Sequence, residues 1–532
     1  MPDLLLGIDV GTSFVKAVLA TPDGHVVASA QAAYPTHHPR PGWAEQHPAD
    51  WWQGVIAVTR QVTAAHAGAV AAIGVSGQGC AVTLIDAHGA VLHPAIIWMD
   101  TRAEPQSERL RQSCGAQVVQ TNGKSPAPYN ADPTLMWLHE HRPDLIERTA
   151  CSLTTTGYVN FRLTGDMVTN VSDASILFAF DLARGDWSQE LIDAFGLPRR
   201  LYPQVAPCQQ VIGRLTPAAA ADLDLPAGIP VIAGGEDTSS AGLALGAVRP
   251  GMAFLSLGTA GTIYATEAQP RIHPRLLTFL HVLDAQWLVG GSMAAIGAAL
   301  AWLRNALGAQ EDYAALTALA GQSTPGAGNL IFLPYLSGEL QPLNDGYARG
   351  VFFGLNMSTG KADLVRAVLE GAAYAIAHNL ELAEEISTAE IEIARGVRGS
   401  GESTRIGTDD EKSAHIRPIR VIREPFEPAI DAILATGGPT RSALWCQIIA
   451  DVCNRPLHVL AESGGAPLGN ALLAGAGIGL IGDLAAVAAS AAQVQQHFMP
   501  DAARHEHYRR LFALYKQLYP NLKELYVELA RV

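Results

Sequence analysis

Two short runs constrain this chain more than anything else in it: Gly7-Ile8-Asp9-Val10-Gly11-Thr12-Ser13 near its start and Ser256-Leu257-Gly258-Thr259-Ala260-Gly261-Thr262 near its middle. In each, an apolar, strand-sized segment ends in a turn of glycine and hydroxyl residues, and a second apolar segment follows. Glycine lets a backbone come close to a ligand. Threonine and serine add hydroxyl and N–H donors. One such turn reads as an ordinary hairpin. Two, at matching places in two half-chains, point to hairpins facing each other across a cleft with phosphates between them.

The surrounding pattern agrees. Leu4–Asp9, Val15–Ala20 and His25–Ala30 predict three strands, and Pro22-Asp23-Gly24 is a strong hairpin signal between the last two. A helix is expected over Trp51–Ala65, capped by Asp50, then strands at Ala71–Ser76 and Val82–Asp86. Ile229–Gly234, Ala253–Leu257 and Thr262–Thr266 repeat the theme. This predicts an approximate internal duplication whose second half begins near residue 245. Helices are expected at Ala294–Leu307, Lys361–Glu385, Arg441–Val452 and Arg504–Tyr519, with Pro520 ending the last. Ser387–Pro428 interrupts them. Its polar, Gly-rich part, Gly399–Ser413, reads as a solvated loop, and its basic residues admit a sharper reading as an oligomer contact or a docking surface for an acidic partner.

Bulk properties set the class. A chain of 532 residues exceeds what one hydrophobic core holds, so at least two domains are expected. Lys+Arg is 36 against 50 for Asp+Glu, a formal charge of −14, which argues against a nucleic-acid partner. A local triphosphate site remains compatible, because backbone N–H groups and one metal ion suffice for it. No basic segment precedes the apolar run Leu4–Ile8, and the Ala-rich region 466–494 is interrupted by Gly, Pro and Asp483. No membrane partner is therefore expected. Cys80, Cys114, Cys151, Cys208, Cys446 and Cys453 form no CxxC pair, which fits free thiols in a reducing cytoplasm.

Two further motifs carry chemistry. In Ala233-Gly234-Gly235-Glu236-Asp237-Thr238-Ser239-Ser240, paired glycines precede two acids at an expected helix start. A carboxylate there suits deprotonation of a substrate hydroxyl during phosphoryl transfer. It equally suits a helix cap, and the residues alone do not choose between Glu236 and Asp237. Ala435-Thr436-Gly437-Gly438-Pro439-Thr440-Arg441-Ser442 reads as a strand, a glycine turn and a helix start, which suits the flat face of adenine or a plain strand-to-helix turn. Asp9, beside the first turn, is placed to hold Mg²⁺ through water. No GxxxxGK[ST] run is present, so a P-loop is excluded.

Taken together and in this order, these motifs resemble the FGGY carbohydrate kinases of the actin-like ATPase superfamily. The most specific run is Gly350-Val351-Phe352-Phe353-Gly354-Leu355 with Asp363, Leu364 and Glu370 after it. Phe332–Glu339, Ile97–Arg102 and Gly42–Gln46 are similar to the xylulokinase branch. The resemblance implies an α/β fold of two ribonuclease-H-like domains around a central cleft. Residues 1–244 would bind sugar and 245–532 nucleotide, with an atypical insertion at 387–428. It implies Asp237 as catalytic base and Asp9 as the metal residue. It implies Gly11, Thr12, Ser13, Gly258, Thr259, Gly261, Gly297, Gly438 and Ser442 against ATP. It places Gln78, Gly79, Cys80, Trp98, Asp100, Tyr129 and Asp237 around the sugar. The implied cofactors are ATP and Mg²⁺, the implied partner a sugar or polyol, and a homodimer is left open.

The chain also departs from the family. Where xylulokinases carry Gly-Gln-Met-His-Gly, it has Gly77-Gln78-Gly79-Cys80-Ala81, Thr134 stands near the usual Lys of the first signature, and Gly-Glu-Arg-Thr-Pro becomes Gly338-Glu339-Leu340-Gln341-Pro342. Loss of a polar group from a buried pocket shifts substrate preference. The expected activity is therefore phosphorylation of a terminal hydroxyl of a ketopentose such as xylulose, with glycerol, a tetritol, ribulose or gluconate as alternatives. An actin-like, nucleotide-driven binding protein is the alternative of another class.

Overall fold

Leu4–Val10 is apolar along almost its whole length and buried throughout. A strand with no polar face belongs in the middle of a covered sheet, and it lies there. The structure, a computed structural model, describes residues 3–396, 430–461 and 464–531. Leu4–Val10 pairs antiparallel with Phe14–Ala20, which pairs antiparallel with Val26–Ala33. On its other side come Val70–Gly77 and then Pro230–Ile232, both parallel, with Val211–Arg214 antiparallel at the edge. Gly235–Glu236 runs beside the end of Val70–Gly77.

The second sheet repeats this order. Met252–Leu257 pairs antiparallel with Gly261–Glu267, which pairs antiparallel with Trp287–Met293. On the other side Ala432–Thr436 and Leu457–Leu460 are parallel, and Val494–Phe498 is antiparallel at the edge. Leu277–Leu280 adds one strand beyond Trp287–Met293. The common order is the internal duplication expected from the sequence.

The helix Gly465–Gly477, encoded far along the chain, packs on the first sheet and not on the second. Its approach is backbone to backbone. A β-carbon at Gly7 would stand 1.7 Å from the carbonyl oxygen of Pro467, and one at Gly74 would stand 2.3 Å from that of Asn470. On the helix's other side, a β-carbon at Gly469 would stand 2.0 Å from the carbonyl oxygen of Ser240. The helix Asp237–Ala244 is thereby held against Gly465–Gly477. The helices Lys361–Gly396 and Ala443–Cys453 help enclose the core of the second sheet, where Trp445 Nε1 donates to the carbonyl of Leu369 at 3.1 Å.

Three elements differ from expectation. The first long helix spans Pro48–Thr63, with His47 at the N-cap and Pro48 at the first helical position, so Asp50 lies inside its first turn. Proline is favoured there because that N–H has no helical partner. The last helix continues through Pro520, over Ala502–Leu529. Tertiary contacts on both sides of the proline hold it: Tyr515 and Tyr526 are buried, and Tyr519 Oη donates to Asp345 at 2.8 Å. Lys361–Gly396 extends beyond Glu385, while Gly399–Ser413 and the remainder of the expected excursion lie outside the described residues.

Gly7→Ala is expected to cost about 3 kcal/mol or more, because the clashing atoms belong to backbone that cannot swing aside. A urea-denaturation midpoint unchanged by this substitution would contradict the packing.

Candidate active site

The first turn sits where the first sheet meets the cleft. Gly11 N donates to the carbonyl of Phe14 at 3.1 Å and closes the hairpin. Asp9 is held from behind, with Ser76 Oγ donating to its Oδ1 at 2.8 Å. Its Oδ2 lies on the side of Gly11, 3.5 Å from where a β-carbon would be. Thr12 is half-buried and Ser13 exposed. The turn is anchored by side chains distant in sequence: Gln46 Nε2 donates to the carbonyl of Thr12 at 2.8 Å, and Trp98 Nε1 donates to Thr12 Oγ1 at 2.9 Å.

The two acids the sequence left tied are separated by the structure. Glu236 is the N-cap of Asp237–Ala244, its Oε2 accepting from Ser239 N at 2.9 Å. Asp237 is the first helical residue and is free of that task; Thr238 Oγ1 donates to its Oδ1 at 3.0 Å. Burial pushes the Asp237 carboxyl well above the ordinary carboxylate range, and the neighbouring Glu236 charge pushes it further. Burial first, then Asp237, raises Asp9 to about 7. Asp9, Gly11, Lys16, Asp237, Thr238 and Ser256 share one cavity of about 960 Å³. A carboxylate with a raised proton affinity, at a helix start in a cleft, is suited to take a proton from an alcohol.

A second cavity, of about 1090 Å³, contains Gly258, Thr259, Gly297, Gly438 and Ser442 together with Tyr313 and Arg441. The residues expected against the nucleotide converge because the second turn is knotted onto a helix start. Gly297 N donates to the carbonyl of Gly258 at 3.0 Å and Ala298 N to that of Thr259 at 3.0 Å. A β-carbon at Gly297 would lie 2.5 Å from Gly258 O, so the contact demands glycine. A β-carbon at Gly261 would meet Ile296 Cγ1 at 2.7 Å. The N-terminus of Gly297–Ala306 therefore stands at this turn, where helix-end N–H groups favour anions. Ser442 also caps Ala443–Cys453, accepting from Trp445 N at 3.3 Å. The strand-end residues Ser256, Thr262 and Thr436 line the first cavity, and the turns adjoining them, with Gly258, Thr259 and Gly438, line the second.

The residues expected around the sugar fall into two groups. Gly79 and Cys80 lie beside Glu236, and Tyr129 lies near Cys80: a β-carbon at Gly79 would be 3.9 Å from Glu236 Oε1 and 2.5 Å from Ile176 Cδ1. Cys80 is buried at positive φ, burial pushes its thiol up, and Asn130 Nδ2 donates to its Sγ at 3.6 Å. Burial likewise raises the Tyr129 hydroxyl. Gln78 is buried, its Nε2 donating to Gln46 Oε1 at 2.7 Å while its Oε1 has no protein donor. Trp98 is half-exposed beside Thr12.

Asp100 belongs to a brace behind the wall. It is 2% exposed, accepts from Ala44 N at 2.6 Å, and takes Arg102 Nε and Nη2 at 2.9 and 2.7 Å. Arg102 also pairs with Glu45 at 2.7 Å and stacks over Trp43. Sequence reading did not find this brace, although both motifs that form it were visible. It also missed Ser76 behind Asp9 and the buried Lys124, whose Nζ donates to the carbonyls of Ser175 and Thr278 at 2.8 and 2.6 Å.

Two sheets of one order, each ending in a glycine–hydroxyl turn on a common cleft, define a phosphotransferase of the actin-like ATPase class. Comparison narrows the class. The N-terminal domain of the FGGY family of carbohydrate kinases matches residues 4–244, and its C-terminal domain matches 253–478. The xylulose kinase of Escherichia coli (strain K12) is 31% identical over 530 residues, covering 98% of this chain and 100% of that one. The solved xylulose kinase of Rhodospirillum rubrum superposes with a TM-score of 0.86 at 30% identity, covering 98% of this chain and 99% of that one. The gluconate kinase of Lactobacillus acidophilus gives 0.86 at 25%, covering 99% of each. The chain belongs to the FGGY family of carbohydrate kinases. It is an enzyme that moves a phosphoryl group from ATP to a sugar hydroxyl.

The acidic floor leaves a signature in stability. Asp173 is fully buried, and burial raises its carboxyl to about 7. The folded state thus binds its proton more tightly than the unfolded chain does. The stability this brings is present below about pH 4 and is lost as pH rises through about 7. Asp173→Asn should therefore match wild type near pH 4 and be more stable at pH 8, by up to about 4 kcal/mol. Calorimetric melts of the two proteins across that range check the sign.

Proposed function

We propose that this enzyme phosphorylates a terminal hydroxyl of a ketopentose, D-xylulose, with Mg-ATP, and that Asp237 is the base. The observation that carries the reading is the shared cavity: Asp237, relieved of capping by Glu236, opens onto the space that also holds Asp9 and Gly11. The nucleotide base occupies the cavity at Gly438 and Ser442. Its phosphates run past Gly258, Thr259 and Gly261 towards Gly11, Thr12 and Ser13. The sugar lies against Gln78, Gly79, Cys80, Trp98 and Tyr129, and Asp100 positions that wall from behind through Ala44 and Arg102. The full-length likeness to proteins named xylulose kinases supports the choice of sugar.

The residues present fit Mg²⁺. The Asp237 charge raises the proton affinity of Asp9 in their common cavity, so a cation held there would relieve repulsion. Asp9 would hold the ion; among the described residues no cluster of three metal-ligating side chains forms. When bound, Mg²⁺ neutralises charge on the triphosphate. The chain's own residues do the rest. The two turns align the phosphates, Asp237 accepts the hydroxyl proton, and closure of residues 1–244 on 245–532 about residue 245 excludes water that would otherwise be phosphorylated. A cytoplasmic site of action follows from the substrates. Among the described residues no helix is long and apolar enough to cross a membrane.

The test is ADP release with Mg-ATP across pentuloses, pentitols, tetritols, glycerol and aldonates. D-Xylulose is expected to give the highest kcat/KM. Asp237→Asn should bind ATP normally and lose at least about 100-fold in kcat, the range general-base catalysis supplies. Turnover within a few-fold of wild type would remove Asp237 as the base. A different best sugar would overturn the choice of xylulose alone.

A further inference from the structure

The sugar wall contains an acid that the reaction just described does not use. Glu236 is 6% exposed. One oxygen, Oε2, accepts from Ser239 N at 2.9 Å, and the carboxyl also hydrogen-bonds the side chains of Asp237 and Thr238. The other, Oε1, lies 3.9 Å from the missing β-carbon of Gly79, in the part of the wall where side chains are smallest. No side chain at position 79 screens it, and a side chain there would collide with Ile176 Cδ1 at 2.5 Å. The next residue, Cys80, supplies only a protonated thiol, a weak hydrogen-bonding group. The strong polar group on this part of the wall is therefore a carboxylate that reaches it from the neighbouring helix start.

Given the kinase reading, we infer that Glu236 is a specificity-determining residue of the sugar site, its Oε1 accepting hydrogen bonds from hydroxyls of a neutral ketose or polyol and turning away sugars that carry a carboxylate. The charges around it sharpen the selection. Asp237 adjoins it on the same helix start, and Asp173 faces it from the helix Val171–Ile176. Tyr264 and Cys80, the other titratable groups that feel its charge, are neutral. The nearby amine on the Cys80 side, Lys124, is buried, which lowers it to about 7, and it already donates to oxygens of Asn122, Ser175 and Thr278. A substrate carboxylate entering here meets a cluster of acidic groups, Glu236, Asp237 and Asp173, while Lys124 is already engaged. A substrate hydroxyl meets an acceptor.

Glu236→Gln isolates the charge, since glutamine still offers an oxygen to Ser239 N and keeps the helix cap. With wild type and variant, KM and kcat are measured for D-xylulose, and D-xylonate, the five-carbon acid, is measured as substrate and as competitive inhibitor. For wild type, xylonate is expected to bind at least about tenfold more weakly than xylulose. In the variant, KM for xylulose should rise about 10- to 100-fold, xylonate inhibition should tighten, and KM for ATP should hold. A capping role alone would move the melting temperature and leave the xylulose-to-xylonate ratio where it was, which would overturn the inference. Wild-type enzyme that binds xylonate as tightly as xylulose would overturn it without any variant. If the best substrate is another neutral polyol, the xylulose assignment fails by itself, and the same ratio, taken for that polyol and its acid, decides the role of Glu236.

Discussion

Everything in the site depends on two helices pressed together through glycine. Gly469 lets Gly465–Gly477 touch the backbone at Ser240, and Gly7 and Gly74 let the same helix lie flat on the first sheet. The helix Asp237–Ala244 is thereby fixed to the strand that carries Asp9. Neither acid holds its place through a flexible contact. Asp9 stands near a strand end and is braced by Ser76, and Asp237 opens a helix whose third residue is buried against the layer beneath. Packing of backbone on backbone is stiff, because no rotamer can absorb a displacement. That stiffness lets two carboxylates be held close in a low-dielectric space with their proton affinities raised.

The cost of that arrangement is repulsion, and the structure places its relief outside the protein. Asp9, Asp173, Glu236 and Asp237 all have carboxyls displaced upward, with burial as the leading cause. Lys16 lies near Asp9 and lowers it somewhat. Otherwise the cleft awaits protons or a substrate-borne cation. A site built this way binds its ligands partly by neutralising itself, and it favours neutral sugars over acidic ones.

Much of this was legible in the sequence, for reasons that are local. A glycine–hydroxyl turn between apolar runs is read within a few residues, so both such turns, the meander and the duplicated sheet order were visible. Gly258, Thr259, Gly297, Gly438 and Ser442, which the resemblance sets against the nucleotide, line one cavity. What was not legible depends on residues far apart. Asp100 reads as a pocket acid until Ala44 and Arg102 are found on its oxygens. Glu236 and Asp237 are indistinguishable neighbours until the helix start assigns one of them the cap. The proline at 520 was overruled by tyrosines that pack on distant partners. The helix Gly465–Gly477 gives no hint, in its own residues, of which sheet it covers.

The central claim is that one triphosphate bridges the two turns with the sugar's terminal hydroxyl beside Asp237. A crystal structure with a non-hydrolysable ATP analogue, Mg²⁺ and D-xylulose tests it most directly. The account predicts the terminal oxygen about 3 Å from an Asp237 carboxylate oxygen and in line with the γ-phosphorus. A sugar whose terminal hydroxyl sits on another residue, with Asp237 turned away from the γ-phosphate, would contradict it.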